Sequence, residues 1–142
     1  MRKLRALFVV PIVAVLMVFS AGAALADDNI GISKTAAILS GNLQWDSYKH
    51  FTITSSALVD NKCDGKSVSW RIYISTYIDK DNWWGKDRAN SGGCGSKTTW
   101  GAFSGEDTRG CGVWAVTVHV YAAGSDLDGA RTFYNPYSGP NC

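Results

Sequence analysis

SVSWRIYIST, residues 67–76, alternates apolar and polar side chains without a break. Val68, Trp70, Ile72 and Ile74 fall on one side of an extended chain, and Ser69, Arg71, Tyr73 and Ser75 on the other. That period of two is what a strand with one buried face requires. GVWAVTVHVYA (112–122) repeats it, with Trp114, Val116, Val118 and Val120 on one face and Ala115, Thr117, His119 and Tyr121 on the other. HFTITSSALVD (50–60) and SKTTWGAF (96–103) alternate less cleanly, and ARTFYNPY (130–137) reads as a last strand. Between them lie DNKCDGK, ANSGGCGS, SGEDTRGCG and AAGSDLDG, clusters of the residues that turn chains. Strands are therefore expected at 51–59, 67–78, 82–88, 97–104, 112–122 and 131–135. No segment after residue 26 keeps a helical period. The expected class is all-β, a small antiparallel β-sandwich, Ig-like or jelly-roll-like.

Outward from this frame, the N-terminus has a different character. MRKLRALFVVPIVAVLMVFSAGAALA (1–26) has a basic start (Arg2, Lys3, Arg5), an apolar run from Ala6 to Phe19 and a small-residue site at Ala24-Leu25-Ala26. These are the three parts of a secretory signal, cleaved before Asp27. The apolar run is short for a membrane span, and no second one follows. Removing three of the 14 basic residues leaves 11 against 12 acidic ones, a net charge of −1 for the 116 residues that remain. With no Lys/Arg cluster to track phosphates, nucleic acid is not an expected partner. The expected location is extracellular, and the remaining length suits one domain with a modest core. Within it, 27–45 reads as an N-terminal segment, either a loose terminus (DDNIG) or a helix turn or edge strand (SKTAAIL). The sandwich domain is expected over 46–142.

Cys63, Cys94, Cys111 and Cys142 are an even set in an exported chain, which reads as two disulfides. The nearest pair lies 17 residues apart, unlike the close ligand pairs of zinc sites, so no metal is expected. If the strands run antiparallel in order, Cys63 and Cys94 lie at one end of the sandwich and Cys111 and Cys142 at the other. The expected bridges are then Cys63–Cys94 and Cys111–Cys142, each with Cα atoms within about 7 Å. The pairing depends on DNWWGKDR (81–88) being a strand; as a loop it would move Cys94 to the opposite end.

Two resemblances can be stated on these residues. LVDNKCDGKSVSWRIYI, with NSGGCGS and VWAVTVHVY after it, resembles a group of small secreted actinobacterial proteins in which a V-x-D-x-x-x-D-G-x-x-V run leads into the central strand. The likeness covers about Thr54 to Val120 and implies a bacterial sandwich protein without an assigned activity. DTRGCGVWAVTV and RTFYN resemble lactococcin-972-type bacteriocins, shorter two-sheet proteins that generally lack this cysteine framework. That likeness implies a secreted antibacterial protein.

Catalytic patterns are not found: there is no G-x-S-x-G, H-E-x-x-H or Gly-rich phosphate loop. Paired cysteines make poor nucleophiles. His50 and His119 have no evident partner in the local sequence, and His119 reads most simply as a surface imidazole. Glu106 is the only glutamate, and the eleven aspartates sit mostly in turns that favour them for backbone reasons. Asp79 and Asp81 in DKDNWWG have the spacing of calcium ligands, but Trp83 takes the next ligand position and the distal glutamate is absent. No enzyme and no cofactor are expected.

Trp83 and Trp84 stand side by side in an otherwise polar run. In a strand they point to opposite faces, so at most one enters the core through the pleat. The packing reading gives the other to the sheet edge, since indoles bury area while the N–H reaches water. The functional reading places it on a binding face with Arg71, Tyr73, His119 and Tyr121, suited to a protein or a cell-surface glycan.

Overall fold

The computed structural model of the chain describes residues 26–77, 82–123 and 126–137, including their side chains except at 82–86. Among the described residues nine strands follow one another: β1 (Ala26–Ser33), β2 (Ala37–Trp45), β3 (His50–Asp60), β4 (Val68–Thr76), β5 (Asn82–Asn90), β6 (Lys97–Trp100), β7 (Phe103–Glu106), β8 (Val113–Tyr121) and β9 (Leu127–Tyr134). They pair into two antiparallel sheets. One has the order β1-β2-β3-β6, with β7 also on β3, and the other β5-β4-β8-β9. The all-β, two-sheet expectation holds, and the Trp83–Trp84 segment is a strand.

The inner faces of both sheets share one core. Leu39, Leu43, Phe51, Ile53 and Leu58 of the first sheet meet Ile72, Val116, Val118 and Val120 of the second. Each such side chain contributes roughly 1.5–3 kcal/mol relative to exposure. Trp45 lies edge-on to Phe51 with ring centroids 6.0 Å apart, and its Nε1 donates to Asp28 at 3.1 Å. Trp70 packs against Trp100 (5.9 Å) and Phe103 (6.0 Å). The sides of the sandwich are latched by polar groups. Asn90 Nδ2 donates to the carbonyls of Leu58 (3.0 Å) and Ser96 (2.8 Å), while Arg131 Nη1 reaches that of Gly31 (3.4 Å).

Two bulges explain where the alternation misleads. In β3, Ser55 pairs with Asn42 and Ile53 with Leu43, which leaves Thr54 without a β2 partner. An extra residue reverses the pleat parity, so Phe51 and Ile53 point inward before it, and Leu58 and Asp60 after it. β6 pairs with β3 beyond the bulge and β7 before it. The expected single strand 97–104 is therefore two strands. In β8, Ala115 pairs with Ser75 and Val113 with Thr76, leaving Trp114 as the extra residue. Val113 takes the inward place and Trp114 is 41% exposed. The expectation that Trp114 lies on the core face is corrected.

The segment 27–45 is neither loose nor helical. DDNIG belongs to β1, which is an edge strand paired with β2 along its whole length, and Ala37–Trp45 is an interior strand. Ile30 and Ile32, then Leu39, Leu43 and Trp45, alternate inward. Gly41 interrupts the second series because a Cβ there would stand 2.6 Å from the Ser55 carbonyl oxygen.

Cys63 follows β3 and Cys94 follows β5. They meet as expected in a disulfide with Cα atoms 4.5 Å apart. Cys111 is 7% exposed and is not free, but Cys142 lies outside the described residues, as do residues 1–25 of the expected secretory signal, whose last residue, Ala26, opens β1. Among the described residues no helix is long and apolar enough to cross a membrane.

Candidate functional site

β4 and β8 are neighbours in the middle of their sheet, so the outward residues of the two strands form adjacent rows. Arg71 pairs with His119, Tyr73 with Thr117 and Ser69 with Tyr121. The sequence places these residues on polar faces; the pairing of strands 37 positions apart brings them into contact. The Tyr73 and Tyr121 hydroxyls are 3.0 Å apart, and His119 Nδ1 lies 3.2 Å from the Tyr121 hydroxyl. The rings of Tyr73 and His119 are 4.5 Å apart. His119 is thus built into an aromatic cluster rather than standing alone as a surface imidazole.

Arg71 joins this cluster to β5. Its Nη2 donates to Asp87 Oδ2 at 2.6 Å, and its guanidinium carbon lies 4.7 Å from the Tyr121 ring centroid, a cation–π distance. The bond to Asp87, then that to Tyr73, holds the guanidinium above its ordinary pKa, so it stays charged. Tyr121 is pushed up to about 12, first by burial and then by the Tyr73 hydroxyl, against the opposing pull of Arg71. Asp87 sits where the β4–β5 register shifts between Trp70 and Ile72. The bulge carries its carboxylate to Arg71.

Beside the cluster an open groove of about 630 Å³ is lined by Tyr73, Thr117, His119, Tyr121, Leu127, Ala130 and Thr132. Thr117 and Thr132 face each other across β8 and β9, hydroxyl to hydroxyl at 2.9 Å. Of the six residues expected to form a binding face, Arg71, Tyr73, His119 and Tyr121 come together. Trp83 and Trp84 pair with Tyr73 and Ile72 respectively in the backbone register; their side chains lie outside the described residues, as do Asp79 and Asp81.

Two groupings were not visible in the sequence. Trp114 and Tyr134 (61% exposed) touch in a tilted pair with ring centroids 5.3 Å apart on the outer side of the same sheet; a bulge leaves no sequence mark. On the other sheet His50 does have a partner, since Asp46 Oδ2 lies 2.5 Å from its Nδ1 and also accepts from Thr52 Oγ1 at 2.9 Å. Asp46 closes the β2–β3 hairpin, and an Asp–x₃–His spacing across a turn could have signalled that contact. His50 and Glu106 are cross-strand partners beside a shallow groove that also holds Ser104 and Thr108. Glu106 itself is exposed. Among the described residues no three His, Cys, Asp or Glu side chains converge as metal ligands would.

Set against protein-family models, curated proteins and solved structures, the chain matches none of them.

Proposed function

We propose that the chain is a secreted, non-catalytic binding protein of bacterial origin that holds a partner on the outer face of β4 and β8. One observation carries this reading: Tyr73, His119 and Tyr121 fix one another beside an open groove, and Arg71 is held over Tyr121 by Asp87. Side chains already fixed lose little freedom on binding, and Tyr and Arg are the residue types on which binding energy concentrates. Export is supported by the tripartite N-terminus and by the Cys63–Cys94 bridge, a bond that persists in oxidising compartments. Cys111–Cys142 is proposed as the second staple. The partner is a bacterial cell surface, through a glycan or a protein displayed there; nucleic acid, metal and cofactor have no part.

The test is retention of the secreted protein on bacterial cell envelopes. Arg71→Ala and Tyr73→Ala should each lower retention about tenfold, the effect of losing one good contact of ~1.4 kcal/mol. Equal retention of both variants and wild type would refute the reading. The runs DTRGCGVWAVTV and RTFYN favour a second reading, an antibacterial protein. Growth inhibition of related bacteria, undiminished in Tyr73→Ala, would support that one instead.

A further inference from the structure

The groove ends at Thr117 and Thr132, but the outer face of its sheet does not. One rung further along β8 and β9, Ala115 pairs with Tyr134, and the Tyr134 ring meets that of Trp114 at a steep tilt of 58°. Both rings are exposed large aromatics. The face therefore carries three stations in a line along β8. An aromatic pair stands at Trp114–Tyr134, a hydrogen-bonded hydroxyl pair at Thr117–Thr132, and the Tyr73–His119–Tyr121 cluster at the far end. From Trp114 to Tyr121 the strand runs about 23 Å at roughly 3.3 Å per residue.

We infer that this line is an extended site for a neutral polysaccharide chain, with Trp114 and Tyr134 at one end and the half-buried rings of Tyr73 and His119 at the other, where Tyr121, only 6% exposed, backs them from beneath. The inference rests on the binding role proposed above and names the class of ligand. Three observations select it. Sugar rings present apolar C–H faces rimmed by hydroxyls, and the stations alternate ring faces with hydroxyl groups in the same way. Arg71, the cation at one end, is already neutralised by Asp87 at 2.6 Å, so the site makes no demand for an anionic polymer. β4 and β8, which carry most of the line, are each paired on both sides, so a ligand lying over them meets side chains and not open backbone; the open edge of the sheet lies beyond, on β9. Thr117 and Thr132 in the middle of the line, and Ala130 opposite His119 at the next rung, are small side chains over which a chain can cross from one aromatic station to the other.

The experiment is a titration of the secreted protein with cello- and chito-oligosaccharides of increasing length, from the disaccharide upward. Affinity for at least one series should rise with length and level off only once the chain spans both stations. Trp114→Ala should lower the affinity for the longest oligomer about tenfold and leave that for the disaccharide unchanged. Tyr73→Ala should weaken both. Trp114 is exposed, so this variant should fold, and an unchanged thermal midpoint checks that it has. Affinity that is flat with length, a Trp114→Ala variant indistinguishable from wild type on the longest oligomer, or no binding to either series overturns the inference. Envelope retention that depends on Tyr73 but disappears after protease treatment of the envelopes would also overturn it, while leaving the binding role standing. Retention independent of Tyr73 removes both.

Discussion

The two sheets of this sandwich bury the same kind of inner face and carry opposite outer faces. On the β5-β4-β8-β9 sheet the outward rows hold large rings that touch one another: Tyr73, His119, Tyr121, and beyond them Trp114 with Tyr134. On the β1-β2-β3-β6 sheet the outward positions are mostly small and polar: Asn29, Ser40, Asn42, Ser55 and Thr99 line a shallow depression of about 420 Å³ that Trp100 also borders, and Ile38 is the large apolar side chain exposed there among the described residues. Both faces satisfy the fold equally, because a sheet with one buried side constrains only that side. Small hydroxyl and amide residues are what a solvated strand face needs. Trp114 and Tyr134 leave apolar area exposed, which a solvated face does not need, whereas Tyr121 is buried and Tyr73 and His119 half-buried among their own neighbours.

The sharpest way to break this comparison uses two tryptophans of the aromatic sheet. Trp70 is 0% exposed and packs between Trp100 and Phe103, whereas Trp114 is 41% exposed. Trp70→Ala should cost about 3–5 kcal/mol, the range for emptying a large aromatic site in a core. Trp114→Ala should cost about 0.5 kcal/mol or less, as surface changes do. Denaturant midpoints of the two variants measure both. Comparable losses would mean that the outer aromatics hold the fold, and the distinction between faces would fall.

Next in size is the disulfide, which ties the loop after β3 in one sheet to the loop after β5 in the other. It closes a separation of 31 residues, and the chain-entropy treatment assigns such a loop roughly 3–4 kcal/mol. The Cys63→Ala/Cys94→Ala double variant should lose about that much in urea unfolding and keep its outer-face binding once folded. A loss of binding in the folded variant would show that the face depends on how the sheets are joined.

These effects follow from features that differ in how plainly the sequence shows them. β4 was legible because nothing interrupts its alternation, and its register gives the core Trp70, Ile72 and Ile74 while turning Arg71 and Tyr73 outward. β3 was half legible, since Thr54 adds a residue and reverses the parity midway. β1 and β2 stayed between an edge strand and a loose or helical segment because Gly31 and Gly41 weaken the alternation, and pairing rather than propensity makes them strands. The site followed the same logic. Outward-facing residues on two clean strands were visible one strand at a time, but their contact depends on β4 pairing with β8, a long-range choice that local pattern does not encode. Trp114 was misplaced because a bulge is a property of the pair of strands, not of either sequence.

A smaller effect comes from pH. Tyr121 has its phenol raised from 10.0 to about 12, by burial first and then by Tyr73. A raised value means that between about pH 10 and 12 the folded chain holds a proton the unfolded chain has released. Stability is therefore full below pH 10 and falls as pH rises through that window. Tyr121→Phe removes the titrating group, so its urea midpoint should fall less between pH 9 and pH 11.5 than that of wild type. A parallel fall in both would show that the cluster does not hold its proton.

The smallest effect is expected on the opposite sheet, where the comparison predicts almost nothing. Glu106 is exposed on β7, opposite His50, whose Nδ1 is taken by Asp46. An imidazole oriented by a carboxylate, with a second carboxylate across the rung, is an arrangement that general acid–base chemistry can use. What weighs against that use is the setting. The depression beside it is open, Glu106 and Ser104 are exposed to water rather than drawn into a desolvated cleft, and nothing there encloses a substrate. Glu106→Gln should accordingly change stability by about 0.5 kcal/mol or less and leave envelope retention as it was. It should also abolish no sugar- or peptide-cleaving activity of the secreted protein. Assaying wild type and variant side by side on cell-wall material checks all three. A hydrolytic rate present in wild type and lost in Glu106→Gln would make the polar sheet the working one, and would invert the assignment of roles to the two faces.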